Sequence, residues 1–260
     1  MIERQVKELL ELLKTVVWKS CSLQWFFEYI LIGKERKKKM KGATFDLDGT
    51  LLDSMPIWEK AGELFLAGIG KKAEPNLSAM LFSMSMKEGA VFLKERYNLT
   101  MEVDDIIAGV NHTIEEQYRR QILLKDGAAS FLKKMQQAGI KMVVATACDR
   151  CVLEEALVRL QIMHYFETIF TCTEVGASKK SPHIYLKAAE YLDVLPKDIW
   201  VFEDALYAIE TAKKAGFKTV GVFDPSNKKD KEKILHISDL YIESFFEVLT
   251  LPAIIKTKNG

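Results

Sequence analysis

Two aspartates stand two residues apart in Phe45-Asp46-Leu47-Asp48-Gly49-Thr50, at the end of a short apolar run. Alternate residues of an extended chain project the same way, so both carboxylates can face one ligand. Gly49 and Thr50 then let backbone N–H groups come close to an anion. Polar residues also end or follow other apolar runs: Thr146, Lys179 a few residues beyond Cys172, and Glu203-Asp204 directly after Trp200-Val201-Phe202. Taken singly, these are a turn, a capping threonine, a solvated loop lysine and a helix N-terminal acidic pair. Taken together at strand ends, they form a collection that a purely structural sheet has little reason to assemble. Two negative charges about 4 Å apart repel by about 1 kcal/mol at water's dielectric and about 4 at an effective value of 20. Four carboxylates in one crevice therefore call for a divalent cation. Oxygen-only ligands favour magnesium, which keeps part of its water shell and accepts a phosphate oxygen as a further ligand. With Mg²⁺ and the Lys179 ammonium in place, a phosphate dianion becomes admissible.

The elements that must hold these groups are legible from Lys41 onward. Ala43 to Leu47, Lys141 to Thr146, Thr168 to Cys172, Ile199 to Phe202 and Thr219 to Phe223 read as strands, being short, apolar and rich in β-branched residues. Helical patterns lie between the later ones: Ala128 to Ala138 before Gly139, Val152 to Leu160, Ile184 to Leu192, and Ala205 to Ala215 before Gly216. This alternation predicts an α/β protein with a doubly wound parallel sheet, whose ligands sit beyond the carboxyl ends of the strands. Between the first two strands, about Pro56 to Leu124 shows helical runs only, at Ile57 to Ala67, Lys87 to Tyr97 and Val103 to Arg120. So long a βα connection is read as an inserted α-helical domain. The expected layout is an extension over 1–40, a core over 41–56 and 125–250, a helical cap over 57–124, and a tail over 251–260.

Phe45 through Ser54, Val143-Val144-Ala145-Thr146, Lys179 before Ser181-Pro182, and Val201-Phe202-Glu203-Asp204 resemble the four motifs of the haloacid dehalogenase-like hydrolase superfamily. The resemblance runs from about Lys41 to Leu249 and is closest to the β-phosphoglucomutase-like branch, whose helical cap follows the first strand. It implies a Rossmann-like core and four roles. Asp46 would attack phosphorus to form an aspartyl-phosphate. Asp48 would protonate the leaving oxygen and then activate water. Thr146 would hydrogen-bond the phosphoryl group and Lys179 would neutralise charge on it. Asp204, with Glu203, Asp46 and the main-chain carbonyl of Asp48, would hold the magnesium. Gly49, Thr50, Thr146, Ala147 and Lys179 would contact the phosphate. The lysine motif departs from the family pattern, and Lys180 stays beside Lys179 as an alternative. In Ser83-Met84-Ser85-Met86-Lys87, Met86 falls where the mutase presents an arginine, and Lys87 is the candidate substitute, without arginine's bidentate fork. The resemblance thus implies a phosphatase acting on a small phosphorylated metabolite, with a sugar phosphomutase as the second reading. A binding or scaffold protein with a vestigial site is the third.

The rest of the composition narrows partners. A net charge of +1 over 260 residues gives no field that would attract nucleic acid. Hydrophobic content of 48% is enough for a substantial core. Cys21, Cys148, Cys151 and Cys172 are too few and scattered for a disulfide framework, and the start of the chain lacks the layout of a secretory signal. A reduced, cytoplasmic monomer is expected. Cys148-x-x-Cys151 has no second pair to complete a zinc site and reads as two thiols at a helix start. His112 and His183 read as structural or exposed. Met80, Phe82, Met84 and Met86 read as helix packing before they read as a binding surface. In the extension, Val6, Leu9, Leu10, Leu13, Val16 and Val17 recur at helical spacing, then come Trp18, Trp25, Phe26, Phe27 and Tyr29 and a basic run at 34–39. No stretch reaches the roughly 20 apolar residues of a transmembrane span. Three readings stay open: a helix packed on the protein or on a partner, an interfacial membrane helix, and an upstream addition to a domain that begins near Met40.

Overall fold

The computed structural model describes residues 40–81 and 84–249. The expected helix and basic run of the extension, Phe82, Ser83 and the C-terminal tail lie outside the described residues. Among those described, β1 (Gly42–Phe45), β2 (Lys141–Thr146), β3 (Thr168–Thr171), β4 (Ile199–Glu203), β5 (Lys218–Val222) and β6 (Leu240–Ile242) form one sheet. Its order is β3-β2-β1-β4-β5-β6, and every neighbouring pair is parallel. The chain runs outward from β1 to β3, then returns to β4 on the other side of β1. The order therefore reverses between β1 and β4, and a crevice opens at their carboxyl ends. β6 has no counterpart among the expected strands, because three residues are too short a run to register as one.

β1 and β4 are buried along their whole lengths, as parallel strands covered on both faces must be. Phe45 of β1 stacks on Phe202 of β4 with ring centroids 4.4 Å apart, and Phe131 lies edge-on to Phe45 at 6.2 Å. Each such aromatic pair adds about 0.5–1.5 kcal/mol beyond the area it buries. These rings lie directly behind Asp46 and Glu203, so the strand ends that carry the acids rest on a packed floor.

α1 (Met55–Gly68), α2 (Leu77–Leu81), α3 (Met86–Tyr97) and α4 (Val103–Arg120) occupy the long interval between β1 and β2. In α4, Ile106, Val110, Ile114 and Tyr118 are buried at four-residue spacing and form one apolar stripe. Gly109 allows α1 to pack close, since a Cβ there would lie 2.5 Å from the Phe65 ring. α3 begins with a capping box: the Ser85 hydroxyl accepts from the Glu88 amide, and the Glu88 carboxylate accepts from the Ser85 amide. The two segments that join these helices to the sheet are paired with each other. The Asp53 amide donates to Leu123 O at 3.0 Å, and the Lys125 amide to Leu51 O at 2.9 Å.

The remaining helices, α5 (Ala128–Gln137), α6 (Arg150–Arg159), α7 (Cys172–Val175), α8 (His183–Leu192), α9 (Leu206–Lys214), α10 (Lys231–Ile237) and α11 (Phe245–Leu249), accompany the strands. Cys148 is buried and Cys151 exposed around the start of α6, and both are free thiols. Among the described residues, no helix is long and apolar enough to cross a membrane.

Candidate active site

Pairing with β4 continues one residue past β1, the Asp46 amide donating to Phe202 O at 3.0 Å. That register sets Asp46 beside Glu203 and Asp204. All three acids are buried, as is Lys179, which arrives from the loop after α7. The Lys179 ammonium donates to Asp46 Oδ1 at 2.5 Å and to Glu203 Oε1 at 2.6 Å. Glu203 also accepts from the Tyr185 hydroxyl at 3.2 Å, and its Oε2 accepts from the Asp204 amide at 3.0 Å. Asp204 accepts from the Thr50 hydroxyl at 3.1 Å and from Asn227 Nδ2 at 2.5 Å. Lys180, the alternative motif lysine, is exposed.

The electrostatics follow from this crowding. Burial is the main influence raising the Asp46 carboxyl, to about 8; Glu203 raises it further and Lys179 works against both. Burial, Glu203 and Asp46 hold Asp204 well above the usual carboxylate range. Burial opposes the charge on Lys179, yet Asp46 and Glu203 keep its ammonium well above the ordinary lysine value. Three buried carboxylates thus face one ammonium. One carboxylate oxygen from each of Asp46, Glu203 and Asp204 lies within 4.8 Å of the others. An all-oxygen donor set with uncompensated negative charge fits a hard divalent cation.

The loop after Asp46 departs from the expectation for Gly49 and Thr50. The Gly49 amide is taken by Leu52 O at 3.0 Å and the Thr50 amide by Leu47 O at 3.2 Å, so neither is free for an anion. The turn consumes both in closing on itself. The Leu47 and Asp48 amides, in contrast, meet no hydrogen-bond acceptor among the described residues. Gly49 serves differently: it has φ +78°, and a Cβ there would lie 2.4 Å from Asp204 Oδ2. Thr50 contributes through its hydroxyl, which orients Asp204.

Asp48 stands apart from the three-acid cluster. Its Oδ1 accepts from Ser54 Oγ at 2.5 Å and from the Tyr118 hydroxyl, whose oxygen in turn accepts from the Trp58 indole N–H. Burial raises its carboxyl pKa, while Ser54, Tyr118 and Trp58 pull the other way. Thr146 is fully buried at the end of β2, and its hydroxyl oxygen accepts from the Cys148 amide at 3.0 Å. Ala147 and Cys148, just after it, reach the cavity wall.

That cavity measures about 440 Å³ and is shared by the strand ends and the inserted helices. Asp46, Asp48, Lys179 and Asp204 line one side; Trp58, Met84, Met86, Leu93 and Val110 line the other. Lys87 does not supply the expected cap cation. It is exposed in the first turn of α3, and Met86 faces the cavity instead. One residue along a helix turns the side chain by about 100°, which carries Lys87 off the face that Met86 occupies. Among the described residues, no lysine or arginine of α1 to α4 lines the cavity; Lys179 and Lys229 both come from the sheet side.

Residues 43–222 match a family model described as haloacid dehalogenase-like hydrolase. The chain belongs to that family. A phosphorylated carbohydrates phosphatase from Thermotoga maritima is 29% identical to this hydrolase over 185 residues, covering 70% of this chain and 84% of its own. CbbY from Rhodobacter sphaeroides, solved in complex with phosphate, superposes with a TM-score of 0.74 at 22% identity, over 83% of this chain and 99% of that one. A β-phosphoglucomutase from Clostridium difficile gives a TM-score of 0.66 at 21% identity, over 79% of this chain and 92% of that one. At these identities the two structures speak to the fold alone, and both share this hydrolase's architecture.

Several residues of the hydrolase site escape motif reading. Asn227 follows β5 in Asp224-Pro225-Ser226-Asn227, so looking past the end of one more strand would have found it. Asp224 there is ion-paired with Lys125 at 2.8 Å. Tyr118 carries no such signal, because its spacing continues the apolar stripe of α4.

Proposed function

We propose that the protein is a magnesium-dependent phosphatase acting on a small phosphorylated metabolite, with Asp46 forming an aspartyl-phosphate. The observation that carries this reading is the buried group of Asp46, Lys179, Glu203 and Asp204 at the β1–β4 switch point, facing an otherwise largely apolar cavity. Asp46 Oδ1 is held by Lys179, which aims the carboxylate and stabilises its ionised, nucleophilic form. The Asp48 amide, which meets no acceptor among the described residues, and Ala147 lie on the cavity wall, where they would contact the phosphoryl oxygens. Thr146 uses its oxygen for the Cys148 amide and keeps its proton to donate. Asp46 and Asp204, with the Asp48 main-chain carbonyl, would hold the cation, and Glu203 acts chiefly by fixing Lys179. Bound there, magnesium would offset the charge of nucleophile and phosphate together. Asp48 supplies the proton to the leaving oxygen and later takes one from water.

Hydrolysis is favoured over mutase chemistry because α1 to α4 bring no cation to the cavity for a second phosphate. The test is phosphate release from a panel of phosphorylated metabolites with magnesium and with a chelator. Asp46→Asn should lower kcat by at least about 10³-fold while leaving thermal unfolding in place. Full turnover in that variant would refute the nucleophile assignment. Isomer interconversion that depends on a bisphosphate activator, without net phosphate release, would establish the mutase instead.

A further inference from the structure

We infer that Tyr118, supported by Trp58, is a positioning residue for the general acid, holding the Asp48 carboxylate so that one particular oxygen exchanges the proton. This rests on the phosphatase reading above. Tyr118 closes the apolar stripe of α4 and is fully buried. Phenylalanine would serve the packing equally well, and a buried hydroxyl is costly unless it is paired. Here the hydroxyl is paired on both sides: it donates to Asp48 Oδ1 and accepts from the Trp58 indole N–H. Ser54 Oγ donates to the same Oδ1. With Oδ1 accepting twice, Oδ2 is the oxygen that carries the proton.

The three donors have distinct origins. Ser54 immediately precedes α1, Trp58 is in its first turn, and Tyr118 is in the last turn of α4. They flank the two paired segments through which the helices join the sheet. The geometry of the acid is therefore set from both connections at once, and a donor chain of this kind strengthens each bond in it.

The step itself balances as follows. An Asp46 oxygen forms a bond to phosphorus, the bond from phosphorus to the leaving oxygen breaks, and that oxygen takes the proton from Asp48 Oδ2. Water then attacks the phosphorus of the aspartyl-phosphate and gives its proton to Oδ2. The phosphorus–Asp46 bond breaks and phosphate leaves. Protonation matters most where the leaving group is a poor one, such as an alkoxide, and least for a nitrophenolate.

The experiment measures kcat/KM, which reports the first irreversible step, over phosphate monoesters from alkyl through phenyl to nitrophenyl, with magnesium, for wild type, Tyr118→Phe and Trp58→Phe. For Tyr118→Phe, kcat/KM should fall about 10- to 100-fold on alkyl esters and less than about 3-fold on nitrophenyl phosphate. Trp58→Phe should tilt the series in the same direction by less, and covers the case of a Tyr118→Phe protein that does not fold. An equal loss across the series, or none, in every folded variant overturns the assignment and makes Tyr118 a packing residue. Wild type that releases phosphate from no ester overturns the phosphatase reading itself, an outcome read from a different arm.

Discussion

At the ends of β1 and β4, three buried carboxylates have oxygens within 4.8 Å of one another, and one buried ammonium bonds two of them, every one of the four having named partners. The inserted segment meets the same cavity mainly with uncharged side chains, Trp58, Met84, Met86, Leu93 and Val110 among them, and with one acid, Glu59. The first wall is fixed by the register of parallel strands and by polar bonds that would be expensive to leave unmade. The second is made largely of side chains that pack by shape, two of them flexible thioethers, apart from Trp58, whose indole N–H bonds Tyr118, and Glu59. On the proposed function, the reacting groups belong to the first wall, the helices support Asp48 through Tyr118 and Trp58, and the uncharged remainder of the helical wall is left to select the leaving group.

The comparison breaks most severely where charge balance is removed from the rigid wall. Lys179→Met leaves Asp46 and Glu203 without their shared cation. Stability without metal should fall by about 3–5 kcal/mol, the cost of stranding one side of a buried ion pair. Loss of the cation should also reduce kcat by about 10²- to 10³-fold. Denaturant unfolding without magnesium and steady-state kinetics with it measure the two effects. A variant as stable and active as wild type would show that the wall tolerates rearrangement after all.

Gly49→Ala is the next largest. It forces an L side chain to φ +78° and sets a methyl against Asp204 Oδ2. The backbone strain costs about 1–2 kcal/mol, and displacement of Asp204 should reduce kcat by about 10²-fold. If Asp204 holds the cation as proposed, added magnesium should also raise the unfolding temperature less in this variant than in wild type. An unchanged magnesium response would separate Gly49 from the cation site.

How far the sequence reveals each wall follows the same division. Parallel strands buried on both faces read as unbroken apolar runs, so β1, β2, β4 and β5 are visible to within a residue or two, and the polar residues that end them point to the crevice. The places of Asp46, Glu203 and Asp204 are legible for that reason and that of Lys179 from its nearness to β3, whereas Thr146 ends β2 as expected but is not among the residues that line the cavity. β6, at three residues, and the short α2, α7, α10 and α11 fall below what periodicity resolves. The Gly49 and Thr50 amides mislead because the hydrogen bonding of a turn depends on its dihedrals, which residue type alone does not specify. Tyr118 is hidden by its own helix: positions 106, 110, 114 and 118 spell a core stripe, and only the fold shows that the last of them ends against Asp48. Lys87 is the opposite error, a cation next to Met86 in sequence but rotated off the cavity face.

That error also points to the mildest test of the contrast. Met86 lines the cavity from the first turn of α3 and is not one of the residues that hydrogen-bond Asp46 or Asp48. Met86→Arg would place on the apolar wall the charge that Lys87 fails to deliver. The side chain at this position faces the cavity and not the packed core, so the substitution should cost little stability. Substrates with a second phosphate or a carboxylate should gain, their KM falling about 10-fold through a charge-assisted hydrogen bond. Monophosphates with neutral leaving groups should keep kcat within about 3-fold, since the groups that carry the chemistry are untouched. A matched pair of substrates, with and without the second anionic group, reads the difference directly. If both kcat values fell together, Met86 would join Trp58 and Tyr118 in supporting the chemistry, and the division between reacting and selecting residues would fail.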